Sequence, residues 1–283
     1  MTEALDAALE LARKLKSVAV KNVGSFNEDV VRYAATGDAT YEVDVPMEAA
    51  IEEHFRGLGI PCRVMTEDRG TVDYGGKPEY MYLIDPLDGS RNLRRNLPFH
   101  CCSIAVYGAD ATELSQSECA VIERFDADEE YVAVRGGGAS LNGKPIKPSA
   151  KTTLDDAVIA LGAHFAGAVP LFAERMRRLG SLTSRDERGV YVKCYGATAL
   201  ELAFLAAGRV DMILDVRASS GFKATPKTYD IAAGVLLCRE AGAVLEYGGR
   251  VIPEELPVDP KIGVQLLGAG NTRLFKTLSN TLR

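Results

Sequence analysis

The stretch Tyr80-Met81-Tyr82-Leu83-Ile84-Asp85-Pro86-Leu87-Asp88-Gly89-Ser90 decides how the rest of the chain is read. Its first five residues read as a β-strand that delivers the chain directly into Asp85. Pro86 and Gly89 predict a tight turn just after it. Two carboxylates are then held near one point at the end of a rigid element. Like charges so placed repel unless a cation sits between them. Hard divalent cations take oxygen ligands, and magnesium suits one or two carboxylates together with phosphate oxygens. The Leu87 carbonyl between the acids is a further candidate ligand, and the Gly89 and Ser90 backbone N–H groups are candidates to cradle a phosphate. Read alone, the stretch is equally consistent with a solvated turn.

Other acids stand at comparable places. Glu67 and Asp68 follow a short strand candidate, Cys62–Met65. Asp44 lies just ahead of a helix expected to open at Pro46 and run to about Leu58, with Met47, Ile51 and Phe55 on one side. Asp230 sits in the opening of a long apolar helix, Lys227 to Ala241. Each has an ordinary explanation of its own, as a polar turn or as a charge complementing a helix dipole.

The bulk properties bound the answer. The chain has 283 residues, 47% hydrophobic and 25% charged, so a sizeable core can form. A net charge of −6 and a pI near 5.3 argue against a nucleic-acid polymer as partner. No apolar run reaches the roughly 20 residues of a membrane span, and Met1 to Lys21 is an amphipathic helix pattern without the marks of a signal peptide. A cytoplasmic location is expected. In the first helix Leu5, Leu9, Ala12 and Leu15 predict the buried face. The six cysteines show no Cys-x-x-Cys spacing and read as buried thiols; the three histidines, His54, His100 and His164, are too few for a histidine-rich metal site.

Arg32 to Tyr41 reads as a loop. Tyr80–Ile84, Cys101–Tyr107, Glu118–Arg124, Tyr131–Val134 and a hairpin marked by Gly136-Gly137-Gly138 and Asn142-Gly143 predict an antiparallel sheet. After about Ser149 strand candidates (Ala157–Gly162, Val190–Cys194, Val210–Val216, Gln265–Leu267) alternate with helices (Pro170–Leu179, Thr198–Ala207, Lys227–Ala241, Asn271–Leu282), which predicts a sheet covered by helices on both faces. The chain is accordingly divided into 1–150, an α+β half with most of the candidate metal ligands, and 151–283, an α/β half with the substrate-facing residues and Asp230.

Taken in order, Thr40…Asp44…Glu48, Thr66-Glu67-Asp68, Asp85 to Asn92, the hairpin from Gly136 to Ile146, and Asp230-x-Ala232-Ala233-Gly234 followed by Glu240-Ala241-Gly242 resemble the inositol monophosphatase superfamily over nearly the whole chain. The resemblance implies a layered α-β-α-β-α sandwich. It implies that Glu67, Asp85, the Leu87 carbonyl, Asp88 and Asp230 bind up to three magnesium ions, with manganese as a substitute. It further implies that Ser90, oriented by Asp44 and assisted by Glu67, positions and deprotonates the attacking water. A homodimer is expected by the same analogy. Ser90 replaces the usual threonine, and Tyr229 a frequent tryptophan. The loop Gly37-Asp38-Ala39-Thr40-Tyr41 is similar to that of archaeal members, which often hydrolyse both fructose 1,6-bisphosphate and inositol 1-phosphate. Ala218 to Lys227 looks longer than usual, and its Lys223 and Lys227 are within reach of a substrate or simply solvated.

Asp88, Gly89, Ser90, Lys193, Gly196, Thr198, Asp215 and Arg217 stand at positions resembling substrate-facing residues. Asp215 is a candidate acceptor for sugar hydroxyls; Lys193 and Arg217 are candidate partners of a second phosphate. Arg91, Arg94 and Arg95 crowd the region after the acids and serve an anionic substrate, a solvated loop or a subunit contact. The expected function is magnesium-dependent hydrolysis of a small sugar or polyol phosphate. The alternatives are a 3′(2′),5′-bisphosphate nucleotidase of the same superfamily and a non-catalytic metal-binding partner protein.

Overall fold

The computed structural model describes residues 2–23, 29–34, 39–163, 166–183, 189–218, 225–249 and 254–282. Gly37, Asp38, His164 and Lys223 lie outside them. The decisive stretch is β5 (Tyr80–Asp88), buried along nearly its whole length inside an eight-stranded sheet. Its neighbours are β3 (Cys62–Thr66), parallel to it and bordered by the edge strand β4 (Gly70–Tyr74), and β6 (Cys101–Gly108), antiparallel. Beyond β6 follow β7 (Cys119–Arg124), β8 (Glu129–Val134), β9 (Gly138–Leu141) and β10 (Lys144–Pro145), each antiparallel to the last.

The tight turn expected just after Asp85 is instead a β-bulge. Asp85 pairs with Ser103 and Asp88 with Cys101, so β5 carries one extra residue where β6 has none. Pro86 has no N–H to give the ladder, and a bulge is where a sheet interior tolerates it. In a regular strand residues three apart face opposite sides; the extra residue returns Asp85 and Asp88 to the same side. The sharp turn comes one residue later, at Gly89 with φ 84°, and opens the short helix α3 (Ser90–Arg94). A Cβ there would lie 2.6 Å from the Phe99 carbonyl oxygen, so only glycine fits.

The second sheet has five strands in the order β12 (Tyr191–Lys193), β11 (Val158–Leu161), β13 (Met212–Asp215), β15 (Gln265–Ala269), β14 (Val244–Gly248). Between the sheets lie α5 (Thr198–Ala206) and α6 (Thr228–Ala241). All nine residues of α5 are buried, as an apolar helix sandwiched on two faces must be. The central core draws on both halves, from Leu83 and Ile122 to Leu202, Ile213 and Leu236. Outside the first sheet pack α1 (Thr2–Lys21) and α2 (Asp44–Leu58); outside the second, α4 (Val169–Ser181) and α7 (Thr272–Leu282). The result is the expected five-layer α-β-α-β-α sandwich. No described helix is long and apolar enough to cross a membrane.

Several expectations need correction. Arg32 to Tyr41 is not all loop: β1 (Val30–Tyr33) pairs antiparallel with β2 (Ala39–Tyr41). Helix α2 begins at Asp44, two residues before Pro46, whose missing N–H costs nothing in a first turn. The buried face of α1 is Ala4, Ala8, Leu11, Ala12 and Leu15; Leu5 and Leu9 sit only at its border. Edge strands β4 and β14 were not predicted, because short, half-exposed edges lack the apolar run of a central strand. Of the cysteines, Cys194 is exposed and the other five are buried; all are free thiols.

Candidate active site

The parallel pairing of β3 with β5 brings the ends of both strands to one place, setting Glu67, in the turn after β3, beside Asp85. Asp230 arrives from the second half, in the first turn of α6. The Ser103 hydroxyl, on the residue paired with Asp85, donates to the Tyr229 carbonyl at 3.2 Å and ties that turn to the first sheet. Asp230 also accepts the Lys227 N–H, closing the helix start on itself. One carboxylate oxygen from each of Asp85, Asp88 and Asp230 then lies within 4.8 Å of the others.

Burial pushes the Asp85 and Asp88 carboxyls well above their ordinary range, and repulsion adds to it: Asp230, Asp88 and Glu67 act on Asp85, Asp230 and Glu201 on Asp88. Three backbone amides partly oppose this. The Ala199 N–H donates to Asp88 at 2.6 Å, and the Leu87 N–H to Asp85 at 2.9 Å. The Gly89 amide acts on Asp88 in the same direction. An all-oxygen set of buried, mutually repelling acids fits a hard divalent cation, which supplies the missing positive charge.

These acids line a cavity of about 740 Å³. Leu87, Gly89, Ser90, Asp44, Gly196 and Thr198 line it too, together with Arg217, Arg91 and Arg94. Asp44 is pushed up to about 6 chiefly by burial, against the pull of the Tyr41 N–H it accepts at 2.7 Å. No hydrogen bond joins Ser90 to Asp44 among the described residues; the two only share the cavity wall. Two expected substrate residues fall elsewhere. Lys193 lies on β12, a fully exposed edge strand, and is not on the cavity wall. Asp215 is buried and accepts both Nε (3.0 Å) and a terminal nitrogen (2.6 Å) of Arg217, so it holds that guanidinium and is not an open acceptor for sugar hydroxyls. A Cβ on Gly162 would lie 2.1 Å from Asp215, so that seat is built around glycine. Arg95 is off the wall.

Four contributors escaped the sequence reading of roles. Asn92 donates its Nδ2 hydrogens to the Phe99 and Tyr195 carbonyls, both at 2.8 Å, clasping the turn after the acids to the loop before α5. Phe99 has φ 72°, uncommon for a non-glycine residue and characteristic of functional surroundings. Glu201, pushed up to about 8 by burial and by Asp215, accepts the Tyr195 N–H at 3.2 Å and shapes the same loop. Its signal was available: it is the sole acid in the otherwise apolar α5. Ser103, alone and polar in an apolar strand, carried a similar one.

A five-layer sandwich with acids from both halves converging on one cavity defines the sugar-phosphatase class. The chain belongs to the inositol monophosphatase family, whose model matches residues 1–278. It is 30% identical over 286 residues to the fructose-1,6-bisphosphatase/inositol-1-monophosphatase of Methanothermobacter thermautotrophicus, covering 97% of this chain and 95% of that one. It is 31% identical over 243 residues to the Nus factor SuhB of Escherichia coli, covering 85% and 84%. The crystal structure of the extragenic suppressor protein suhB from Bartonella henselae shares the fold, with a TM-score of 0.77 at 24% identity over 99% and 98% of the two chains.

Proposed function

We propose that the chain is a magnesium-dependent phosphomonoesterase of small sugar or polyol phosphates, inositol 1-phosphate and fructose 1,6-bisphosphate among them. The observation that carries this reading is the convergence of Asp85, Asp88 and Asp230 on one cavity wall. With Glu67 and the Leu87 carbonyl they would hold up to three magnesium ions, or manganese in their place. When bound, such ions lower the pKa of water and neutralise charge on the phosphoryl group. Ser90 orients the attacking water through its hydroxyl. Asp44, pushed up to about 6 chiefly by burial, lines the same cavity and is suited to accept a proton near neutral pH. Thr198 and Gly196 bound the sugar side of the cavity, with Arg217 fixed there by Asp215. Hydrolysis is in line and without a covalent phosphoenzyme. On this reading 1–150 supplies most of the metal ligands and 151–283 completes them, in a cytoplasmic homodimer.

The relatives named Nus factor favour a second reading, a partner-binding role that keeps the metal site, because their identity to this chain, 31% over 85% of it, is close to the 30% over 97% of the archaeal phosphatase. The presence of an acid at all four proposed side-chain ligands, Glu67, Asp85, Asp88 and Asp230, favours the enzyme. Phosphate release from inositol 1-phosphate, fructose 1,6-bisphosphate and 3′-phosphoadenosine-5′-phosphate, with and without magnesium, separates the possibilities. Magnesium-dependent release from the first two is expected. Preference for the nucleotide makes the chain a nucleotidase, and metal-dependent thermal stabilisation without release from any ester supports the partner role.

A further inference from the structure

Among the described residues three cations line the cavity, and they are not alike. Arg217 is only 3% exposed, and its guanidinium is gripped by Asp215. Its charge is largely balanced before any substrate arrives. Arg94 is differently placed. Its guanidinium carbon stands 3.6 Å above the centroid of the Tyr41 ring, and its Nε is buried without a hydrogen-bond acceptor. Among the described residues neither Arg94 nor Arg91 forms an ion pair. Arg91, exposed, stands three residues earlier on the same short helix, Ser90–Arg94, and also lines the cavity.

This arrangement has a chemical direction. A guanidinium laid on an aromatic face is held in one plane at little conformational cost, and its N–H edge stays open. That edge matches the oxygens of a phosphate, which it can grip with two parallel hydrogen bonds. A partly desolvated cation without a counter-anion is poised to gain from one. The Tyr41 backbone is tied down, because its N–H donates to Asp44 at 2.7 Å. The charge of Arg94 is felt at Asp44, which places it at the border between the acid cluster and the β1–β2 hairpin. The cavity thus has an end rich in carboxylates and, on the Tyr41 side, Arg94, which forms no ion pair among the described residues and has Asp44 as a neighbouring acid.

We propose that Arg94, seated on Tyr41 and with Arg91 beside it, is the subsite for a second phosphate, and that the chain selects phosphomonoesters that carry one. This deepens the phosphatase reading and rests on it. It also relocates the recognition expected from the sequence: the second phosphate meets Arg94 and not Lys193, which is off the cavity, or Arg217, which is held by Asp215.

Steady-state kinetics with magnesium test this on the wild-type chain and on Arg94→Ala, Arg94→Lys and Tyr41→Leu. The substrates are inositol 1-phosphate, fructose 1,6-bisphosphate and 3′-phosphoadenosine-5′-phosphate; the last two distinguish a sugar from a nucleotide as bearer of the second phosphate. The wild type should show higher kcat/KM on one of the bisphosphates than on the monophosphate. Arg94→Ala should raise KM for that bisphosphate about 10- to 100-fold, the loss of a charge-assisted hydrogen-bonded pair, with a much smaller change in kcat. The ratio of bisphosphate to monophosphate kcat/KM should fall by at least about tenfold on the same basis. Arg94→Lys, which keeps the charge and the fold, should recover only part of the ratio, and Tyr41→Leu should lower it in the same direction. An equal loss on all substrates, an unchanged ratio, or a wild type that prefers the monophosphate overturns the proposal. A wild type inactive on every ester fails at an earlier step and overturns the phosphatase reading beneath it.

Discussion

The Asp88 carboxylate accepts the backbone N–H of Ala199 at 2.6 Å, across 111 positions of chain. One acid of the cluster is therefore oriented by the first turn of α5, which begins in the other half of the molecule. The partial positive charge of that helix start offsets some of the repulsion Asp88 meets from Asp230. The site depends on the docking of two sheets around a shared helical layer, and not on the Asp85 to Ser90 stretch alone.

Removing that single donor is a sharp test of the coupling. Proline is tolerated in the first turn of a helix, and Ala199 is the second residue of α5. Ala199→Pro should therefore leave the fold in place while Asp88 loses its strongest backbone partner. The magnesium concentration for half-maximal activity should rise about 10- to 100-fold, as for loss of an outer hydrogen bond to a metal ligand. A magnesium titration with unchanged midpoint would show that Ala199 does not position Asp88.

Gly162 is expected to be intolerant of even a methyl group. A Cβ there would lie 2.1 Å from Asp215 Oδ2, and Asp215 cannot yield without releasing buried Arg217. Gly162→Ala should cost about 2–3 kcal/mol, the upper part of the overpacking range. Urea unfolding reads this directly, and a variant as stable as the wild type contradicts the described seat for Arg217.

Glu48 should make stability depend on pH. It is 1% exposed, and Arg69 Nε stands 3.4 Å away. Burial is the main cause that raises its carboxyl from 4.5 to about 7. A folded pKa above the unfolded one means that the folded state binds the proton more tightly. Ionising Glu48 therefore weakens the fold progressively from about pH 4.5 to about pH 7, by up to about 3 kcal/mol at 1.4 kcal/mol per unit. Glu48→Gln keeps the shape without the charge. It should match the wild type near pH 4.5 and exceed it in stability at pH 8. Parallel stability curves for the two proteins would refute this.

Much of this arrangement was legible in the sequence because it rests on patterning. The apolar runs of β5 and β6 and the largely apolar α5 and α6 dictate burial, and burial dictates layers. Asp85, Asp88 and Asp230 could be picked out because acids adjoining such runs are costly without a purpose. What was not legible depends on geometry over long separations. The bulge at Pro86 requires knowing that β6 lies alongside. The pairing of Asp215 with Arg217 depends on where the strand ends, and it reverses the role expected of Asp215. Lys193 follows a strand pattern, but its strand is an exposed edge. Arg94 could not be told from Arg95 by composition; only the position of Tyr41 separates them.

The central claim is that the Asp85, Asp88 and Asp230 cluster holds a divalent cation for phosphate release. The most direct test measures magnesium-dependent phosphate release from inositol 1-phosphate and fructose 1,6-bisphosphate by the wild type and by Asp88→Asn, with thermal unfolding as a check on the fold. The expected result is activity that requires magnesium in the wild type and falls by at least about 100-fold in Asp88→Asn, the scale of losing a group that stabilises transition-state charge, in a protein that remains folded. Undiminished turnover in Asp88→Asn would contradict the account.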